Sequence, residues 1–317
     1  MLDRGEERVD VGVQDGRLVR HEHMFALRSD SARAADEEAV EWCRKSRKYS
    51  GVMTRQAEKA AAFRALHAGD PFVIPNPWDA GSARVLAALG FKALASTSSG
   101  FAFTLGRLDG GVTLDEVIEH AAALDRATEL PLSVDLEHGY VAEPETAALS
   151  IARVAEAGAV GGSIEDYDPD GYIYELDHAV ERVAAAAEAA GGLEFPFTLT
   201  ARAENHLRGN PDLEDTIRRL QAFEAAGADV LYAPGLNSVE EIRAVCQAVS
   251  APVNVLAVPD LSLAKLVEAG AQRISVGGAL TWVAVRAMAD AATGIRDAGD
   301  FSSLASRLPL AEWLARS

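Results

Sequence analysis

The chain has almost no cysteine, with Cys43 and Cys246 the only two in 317 residues. They stand far apart and match neither a zinc-ligand spacing nor a disulfide framework, so a stapled secreted scaffold is set aside and a reducing, cytoplasmic setting is the simplest expectation. Positive charge is scarce as well: 30 Lys and Arg face 48 Asp and Glu, for a formal net charge of -18. Residues 1–52 hold 10 basic and 11 acidic residues, which leaves -17 for the remainder. A body this acidic repels phosphates instead of releasing their counterions, which argues against nucleic acid and anionic membranes as partners. No apolar run approaches the roughly 20 residues of a membrane span. The N-terminus lacks the apolar centre of a signal peptide. Gly-Lys never occurs and no G-x-G-x-x-G is present, so nothing points to a nucleotide cofactor.

What is present is apolar sequence in short, regular pieces, 49% of the chain in all. Residues 1–52 alternate acids and bases and end in Arg44-Lys-Ser-Arg-Lys48; they read as a poorly ordered extension with at most a short helix near Ala32 to Trp42. Met53 stands as an alternative start, which would make the extension a translation artefact. Thr54 to Leu66 reads as an amphipathic helix. From Phe72 onward, Val/Ile/Leu-rich runs alternate with Ala/Glu/Arg-rich helical stretches. The predicted strands are Phe72–Pro75, Ala93–Ser98, Leu132–Asp135, Val160–Glu165, Phe197–Arg202, Asp229–Ala233, Val253–Ala257 and Arg273–Val276. Eight strands separated by helices predict an α/β fold with a parallel sheet closed into a (β/α)8 TIM barrel over residues 53–317. Gly90, Gly158, Gly227 and Gly270 each end a helical run just before a strand, as helix stops do. Two last helices, Leu280 to Arg296 and Phe301 to Arg316, carry Trp282, Leu304, Leu308, Leu310 and Trp313 and are expected to meet another subunit.

Pro131-Leu-Ser-Val-Asp135-Leu-Glu137-His138-Gly-Tyr140 begins as a buried strand and ends in two carboxylates and a histidine. Alternation along a strand would point Asp135 and Glu137 the same way. Two like charges side by side call for a cation between them, and Mg²⁺ needs only one or two carboxylates plus waters and substrate oxygens; a strand end that simply meets solvent is the plainer reading. Barrel chemistry sits at the C-terminal ends of the strands. That rim collects Thr97, Ser98, Ser99 and Gly100 after the second strand, Asp109 beyond them, His138 after the third, Glu165 on the fourth, Arg202 on the fifth, Tyr232 and Pro234 on and after the sixth, and Asn254 within the seventh. Asp135, Glu137 and Glu165 could hold Mg²⁺, with Mn²⁺ the alternative, while Arg202 clamps a substrate carboxylate or, more plainly, pairs with Glu165 or Glu204. Thr97, Ser98, Ser99 and the Gly100 amide offer donors to an anionic oxygen, Asn254 adds a substrate contact, and His138 orients Glu137, touches substrate or, equally, makes a structural hydrogen bond.

In that order, Asn76-Pro-Trp-Asp-Ala-Gly-Ser-Ala-Arg84, Ser96-Thr-Ser-Ser-Gly100, Asp135-Leu-Glu-His-Gly-Tyr140, Ser163-Ile-Glu-Asp166 and Thr200-Ala-Arg-Ala-Glu-Asn205 resemble the isocitrate lyase/phosphoenolpyruvate mutase superfamily. The resemblance implies an eighth helix exchanged between subunits in dimers or tetramers. It puts Asp135, Glu137 and Glu165 on Mg²⁺ positions, Arg202 on the substrate-carboxylate arginine, Thr97 to Gly100 on the segment that binds the carboxylate and oxo oxygens, and Asp109 on an active-site aspartate. The lid Tyr167-Asp-Pro-Asp-Gly-Tyr-Ile-Tyr-Glu175 departs from it, lacking the Lys-Lys/Arg-Cys-Gly-His loop of the isocitrate lyases and the Lys and Asn of the phosphonopyruvate enzymes. Pro234 replaces a mutase histidine. The expected activity is therefore Mg²⁺-dependent C–C cleavage, or its reverse, in a small α-oxo or α-hydroxy carboxylate, with Tyr167, Tyr172 or Tyr174 as candidate proton donors. P–C chemistry on phosphonopyruvate or carboxyphosphonate, and a carboxylate-binding barrel without catalysis, are the alternatives.

Overall fold

The computed structural model describes residues 54–140, 143–305 and 307–315, so the expectations for residues 1–52 and for Met53 lie outside the described residues. Its first element is α1 (Arg55–Ala68), begun by Thr54, whose hydroxyl accepts from the Ala57 amide at 3.1 Å. Eight strands follow: β1 (Phe72–Ile74), β2 (Leu94–Ala95), β3 (Leu132–Asp135), β4 (Gly161–Glu165), β5 (Thr198–Arg202), β6 (Val230–Tyr232), β7 (Val253–Leu256) and β8 (Arg273–Ser275). Between them run α2 (Ala80–Ala88), α3 (Ser98–Thr104), α4 (Leu114–Ala127), α5 (Pro144–Glu156), α6 (Leu176–Gly191), α7 (Leu213–Ala225), α8 (Val239–Ala248) and α9 (Leu263–Glu268). Seven parallel ladders join the strands in the order β1-β8-β7-β6-β5-β4-β3-β2. The last gap, between β1 and β2, is crossed among the described residues by one backbone hydrogen bond, Ala95 N–H to the Pro75 carbonyl at 3.1 Å. Asn76 staples the same seam, its amide donating to the Ser96 carbonyl at 2.9 Å while its oxygen accepts from Val276 and Gly277. The result is a nearly closed (β/α)8 barrel.

The elements form where their local chemistry directs. Capping boxes at Asp79, Thr113 and Ser238 start α2, α4 and α8, each satisfying amides that the first helical turn leaves unpaired. Gly90, Gly158, Gly227 and Gly270 have φ of +92°, +107°, +104° and +109°, the left-handed stop their sequence position suggested. A main core of aliphatic residues fills the space between sheet and helices. A smaller cluster of Phe63, Phe72, Ile74, Ala93 and Val160 seats α1 on the sheet. Beside it Lys59, 4% exposed, ties α1 to α4 through Asp125 at 2.7 Å.

The C-terminal region differs from two plain helices. Helix α10 (Ala279–Ala298) is followed by a short 3-10 turn, Ser302–Ala305, and a six-residue α11 (Leu310–Ala315) that begins after Pro309, which has no N–H to extend a helix backward. Only Thr281 of α10 is buried, and Trp282, Val283 and Met288 are exposed. No helix among the described residues is long and apolar enough to cross a membrane.

Candidate active site

Strand β3 ends at Asp135, and there the sequence expectation needs correction. Glu137 has φ +48° and Tyr140 φ +66°, the two left-handed non-glycine residues among those described, so strand alternation does not carry past Asp135. Each such conformation costs of order 1 kcal/mol or more and persists only where the surroundings over-determine it. They do so here. The Glu137 carbonyl accepts from Glu165 N–H at 2.9 Å, Gly139 N–H closes the turn onto Leu136 at 2.7 Å, and Ser150 holds the Gly139 carbonyl at 2.6 Å. Glu137 therefore reaches its position through a tight turn, with its carboxyl accepting from the Tyr140 hydroxyl at 3.0 Å.

Around the ends of β3, β4 and β5 the acids outnumber the bases. Arg202 lies 3.0 Å from Asp135, 3.0 Å from Glu165 and 2.9 Å from Glu204. Arg208 contacts Glu165 at 3.3 Å; its approach to Glu204 at 3.2 Å is poorly aligned for a hydrogen bond. Burial raises the Glu165 carboxyl well above the usual range, with Glu204 and Asp135 adding to it and Arg202 opposing. Burial, Asp135 and Asp109 together push Glu137 up to about 7. Burial disfavours the Arg202 charge, but Glu165, Glu204 and Asp135 outweigh it and hold the guanidinium firmly protonated. Three carboxyl groups, Asp135, Glu165 and Glu204, thus share two guanidiniums, with Glu137 and Asp109 adding negative charge beside them. Among the described residues no three His, Cys, Asp or Glu side chains already form a metal cage; Arg202 spans Asp135 and Glu165 instead. The donor set is nevertheless hard oxygen with surplus negative charge, the chemistry that suits Mg²⁺ or Mn²⁺.

This cluster borders a cavity of about 370 Å³ that opens at the C-terminal ends of the strands and descends into the barrel. Thr97, Ser98, Ser99, Asp109, Asp135, Arg202 and Asn254 line it, whereas Glu137, Glu165, His138 and Gly100 do not. Thr97 caps α3, its hydroxyl accepting from Gly100 N–H at 3.4 Å and lying 3.3 Å from Ser99 Oγ, while the Ser98 amide donates to Asp135 at 3.3 Å. The Gly100 amide is accordingly taken, and the residue is glycine for room: an added Cβ would sit 2.6 Å from Thr97 Cγ2 and 2.7 Å from Thr281 Oγ1. His138 packs its ring against Tyr140 and gives its carbonyl to Arg182.

The lid is fastened. Tyr167 pairs with Ile173 across a β-bridge and lies under the Arg208 guanidinium at 3.7 Å, while the Tyr174 hydroxyl donates to Asp168 at 2.7 Å. None of Tyr167, Tyr172 and Tyr174 lines the cavity. Tyr232 does; burial pushes its hydroxyl up to about 12 despite Arg202, whose guanidinium carbon lies 5.3 Å from the ring. Cys246, on α8, has its thiol pushed up to about 11 by burial and takes no part in the lining. Sequence reasoning missed Arg273, Ser275 and Ser163 on the cavity wall. Their signal was available: polar side chains inside strands of a parallel sheet, whose two faces are both normally apolar.

Comparison with known proteins gives three kinds of match. The family model described as phosphoenolpyruvate phosphomutase matches residues 63–296. A crystal structure described as a lyase/mutase from Burkholderia cenocepacia J2315 is similar with a TM-score of 0.80 and 51% identity, covering 82% of this chain and 97% of that one. The chain is 31% identical to a 2-methylisocitrate lyase of Halalkalibacterium halodurans, over 71% of its own length and 73% of that protein. It is 34% identical to an oxaloacetate decarboxylase of Paraburkholderia xenovorans, over 58% of its own length and 63% of that protein.

Proposed function

Because the chain belongs to the phosphoenolpyruvate phosphomutase family, within the superfamily that includes the isocitrate lyase-type enzymes, we propose that it is a divalent-metal-dependent lyase that cleaves, or forms, a C–C bond next to the carbonyl of a small oxo acid. The observation that carries this reading is the surplus of buried carboxylates around Arg202 at the mouth of a polar cavity. The names of the relatives, 2-methylisocitrate lyase and oxaloacetate decarboxylase, agree with it.

Asp135, Glu137 and Glu165 would hold Mg²⁺ or Mn²⁺, directly or through water, and the bound ion supplies Lewis-acid polarisation of the oxo group. Arg202 receives the substrate carboxylate, as a guanidinium fork does best. The hydroxyls of Thr97, Ser98 and Ser99 orient the oxo side, and Asp109 on the cavity wall adds negative charge close to Glu137. Tyr232, protonated across the working pH range and beside Arg202, donates a proton to the carbon left behind by the departing group. With Cys246 outside the cavity, a thiol-dependent isocitrate lyase route has no donor among the described residues. Helix α10, of which only Thr281 is buried and on which Trp282, Val283 and Met288 are exposed, would pair with a second subunit.

The test is pyruvate release above the spontaneous rate from a panel of oxo and hydroxy acids, with Mg²⁺ and with chelator, for the wild type, Asp135→Ala and Arg202→Ala. Equal behaviour of all three proteins on every substrate refutes the reading. Turnover of phosphonopyruvate, seen by phosphorus NMR, would replace it with P–C chemistry; saturable carboxylate binding without turnover would leave a binding barrel.

A further inference from the structure

Inward positions of a (β/α)8 barrel are usually filled by branched apolar side chains. Strand β8 places Arg273 there instead, 5% exposed. Its Nε donates to Asn254 Oδ1 at 2.8 Å and its Nη2 to Thr200 Oγ1 at 2.9 Å, and Nη1 lies 3.2 Å from His67 Nε2. His67 Nδ1 sits 2.9 Å from the Phe63 carbonyl and must carry the ring proton, so Nε2 accepts from Arg273. Burial, reinforced by Arg273, pushes the His67 pKa down to about 4 and keeps the ring uncharged. All three partners of Arg273 are therefore neutral.

That isolation is unusual within this protein. Arg202 is met by three carboxylates and Arg219 by two, Asp166 and Asp215. No carboxylate pairs with Arg273 among the described residues, and burial lowers its pKa only to about 10, leaving it charged at neutral pH. A buried charge without a counter-charge is costly unless something else supplies one. Three of the five guanidinium N–H groups are committed, which leaves two. Arg273, Asn254 and Ser275 line the same cavity as Arg202. Thr200 and Arg202, two positions apart on β5, share a face and lie about 7 Å apart along the strand, so Arg273, bonded to Thr200, sits one layer beneath Arg202.

We propose that Arg273, held by Asn254 and Thr200, is the floor of the substrate cavity and binds a second anionic group, so that the substrate is a short dicarboxylate spanning Arg202 above and Arg273 below. The inference rests on the cavity being the substrate site, and it adds a specificity-determining residue to that reading. The missing counter-charge arrives with the distal carboxylate; a monocarboxylate leaves Arg273 unpaired.

Calorimetric titration of the full chain in Mg²⁺ with malate and lactate, which share the 2-hydroxy acid end and differ in the distal carboxylate, tests this directly. The wild type is expected to prefer malate by roughly 10- to 100-fold, the worth of charge-assisted hydrogen bonds. Arg273→Gln should bring malate down to the lactate level and leave lactate within about threefold, a spread well inside one charge-assisted bond. Asn254→Asp, which gives Arg273 an internal carboxylate, should erase the preference in the same way while raising the melting temperature, and it answers the question if Arg273→Gln fails to fold. Equal affinities in the wild type, or a preference for malate that survives Asn254→Asp, overturn the floor alone. A wild type that binds neither acid overturns the substrate-site reading and the floor together.

Discussion

Replacing Arg202 with glutamine removes the one cation shared by Asp135, Glu165 and Glu204 while keeping most of its volume. The side chain is 12% exposed and Glu165 7%, so water can do little to compensate the acids left behind. Breaking a buried pair from one side typically costs about 3–5 kcal/mol. For a barrel of this size each kcal/mol corresponds to roughly 2–4 °C, so Arg202→Gln should melt some 6–20 °C below the wild type in chelator. A divalent cation can then stand in for the guanidinium. At 100 times its dissociation constant it restores about 2.7 kcal/mol to the variant, and it should stabilise the wild type less, because there Arg202 already bridges two of the acids. Differential scanning fluorimetry in chelator and in Mg²⁺ reads both quantities. The reasoning fails if Arg202→Gln melts within about 2 °C of the wild type in chelator, less than one kcal/mol, or if Mg²⁺ shifts wild type, Arg202→Gln and Asp135→Ala by the same amount.

Three further outcomes are expected. His67 and His120 are buried and depressed to about 4 from 6.5, so at these two sites the unfolded chain binds more protons between those values; their contribution is full above pH 6.5 and is lost as pH drops toward 4, by about 3 kcal/mol for each. Urea titration reads it as the difference in pH slope between the wild type and a His67→Gln, His120→Gln double variant that folds, because the raised carboxyls of Glu137 and Asp166 act with the opposite sign in both proteins. Gly100→Ala drives a Cβ to 2.6 Å from Thr97 Cγ2 and should cost about 1–3 kcal/mol while weakening pyruvate binding, because Thr97, Ser98 and Ser99 shift with α3. Tyr232→Phe should lower turnover by roughly 10²–10⁴-fold with substrate binding nearly unchanged, checked by steady-state kinetics against calorimetry.

The barrel was legible because its evidence is local and repeated. Short runs rich in Val, Ile and Leu mark most of the strands, and four of the helices that precede them end at a left-handed glycine, Gly90, Gly158, Gly227 and Gly270, whose backbone no other residue adopts easily. Boundaries were harder where a side chain rewrites the backbone: Ala93–Ser98 shrinks to Leu94–Ala95 because Thr97 caps α3, which starts at Ser98. The site was legible as residue types and not as directions. Asp135 and Arg202 do line one cavity, but the route to Glu137 runs through a left-handed turn that no periodicity announces. The lid tyrosines were candidate proton donors in the sequence, with simple packing the plainer reading, and Tyr167 and Tyr174 are held by Arg208 and Asp168. Arg273 was read only as the start of a strand, since its partners His67, Thr200 and Asn254 are between 19 and 206 positions away.

The seam between β1 and β2 gives the wall a preferred place to breathe. Seven junctions are laced by ladders and this one by a single main-chain bond and one asparagine, so the Ala95 amide should lose its deuterium protection before its neighbours on β3 and β4. The serine-rich bank that begins at Ser96 hangs from that same edge, which makes one flank of the chamber softer than the acidic flank facing it.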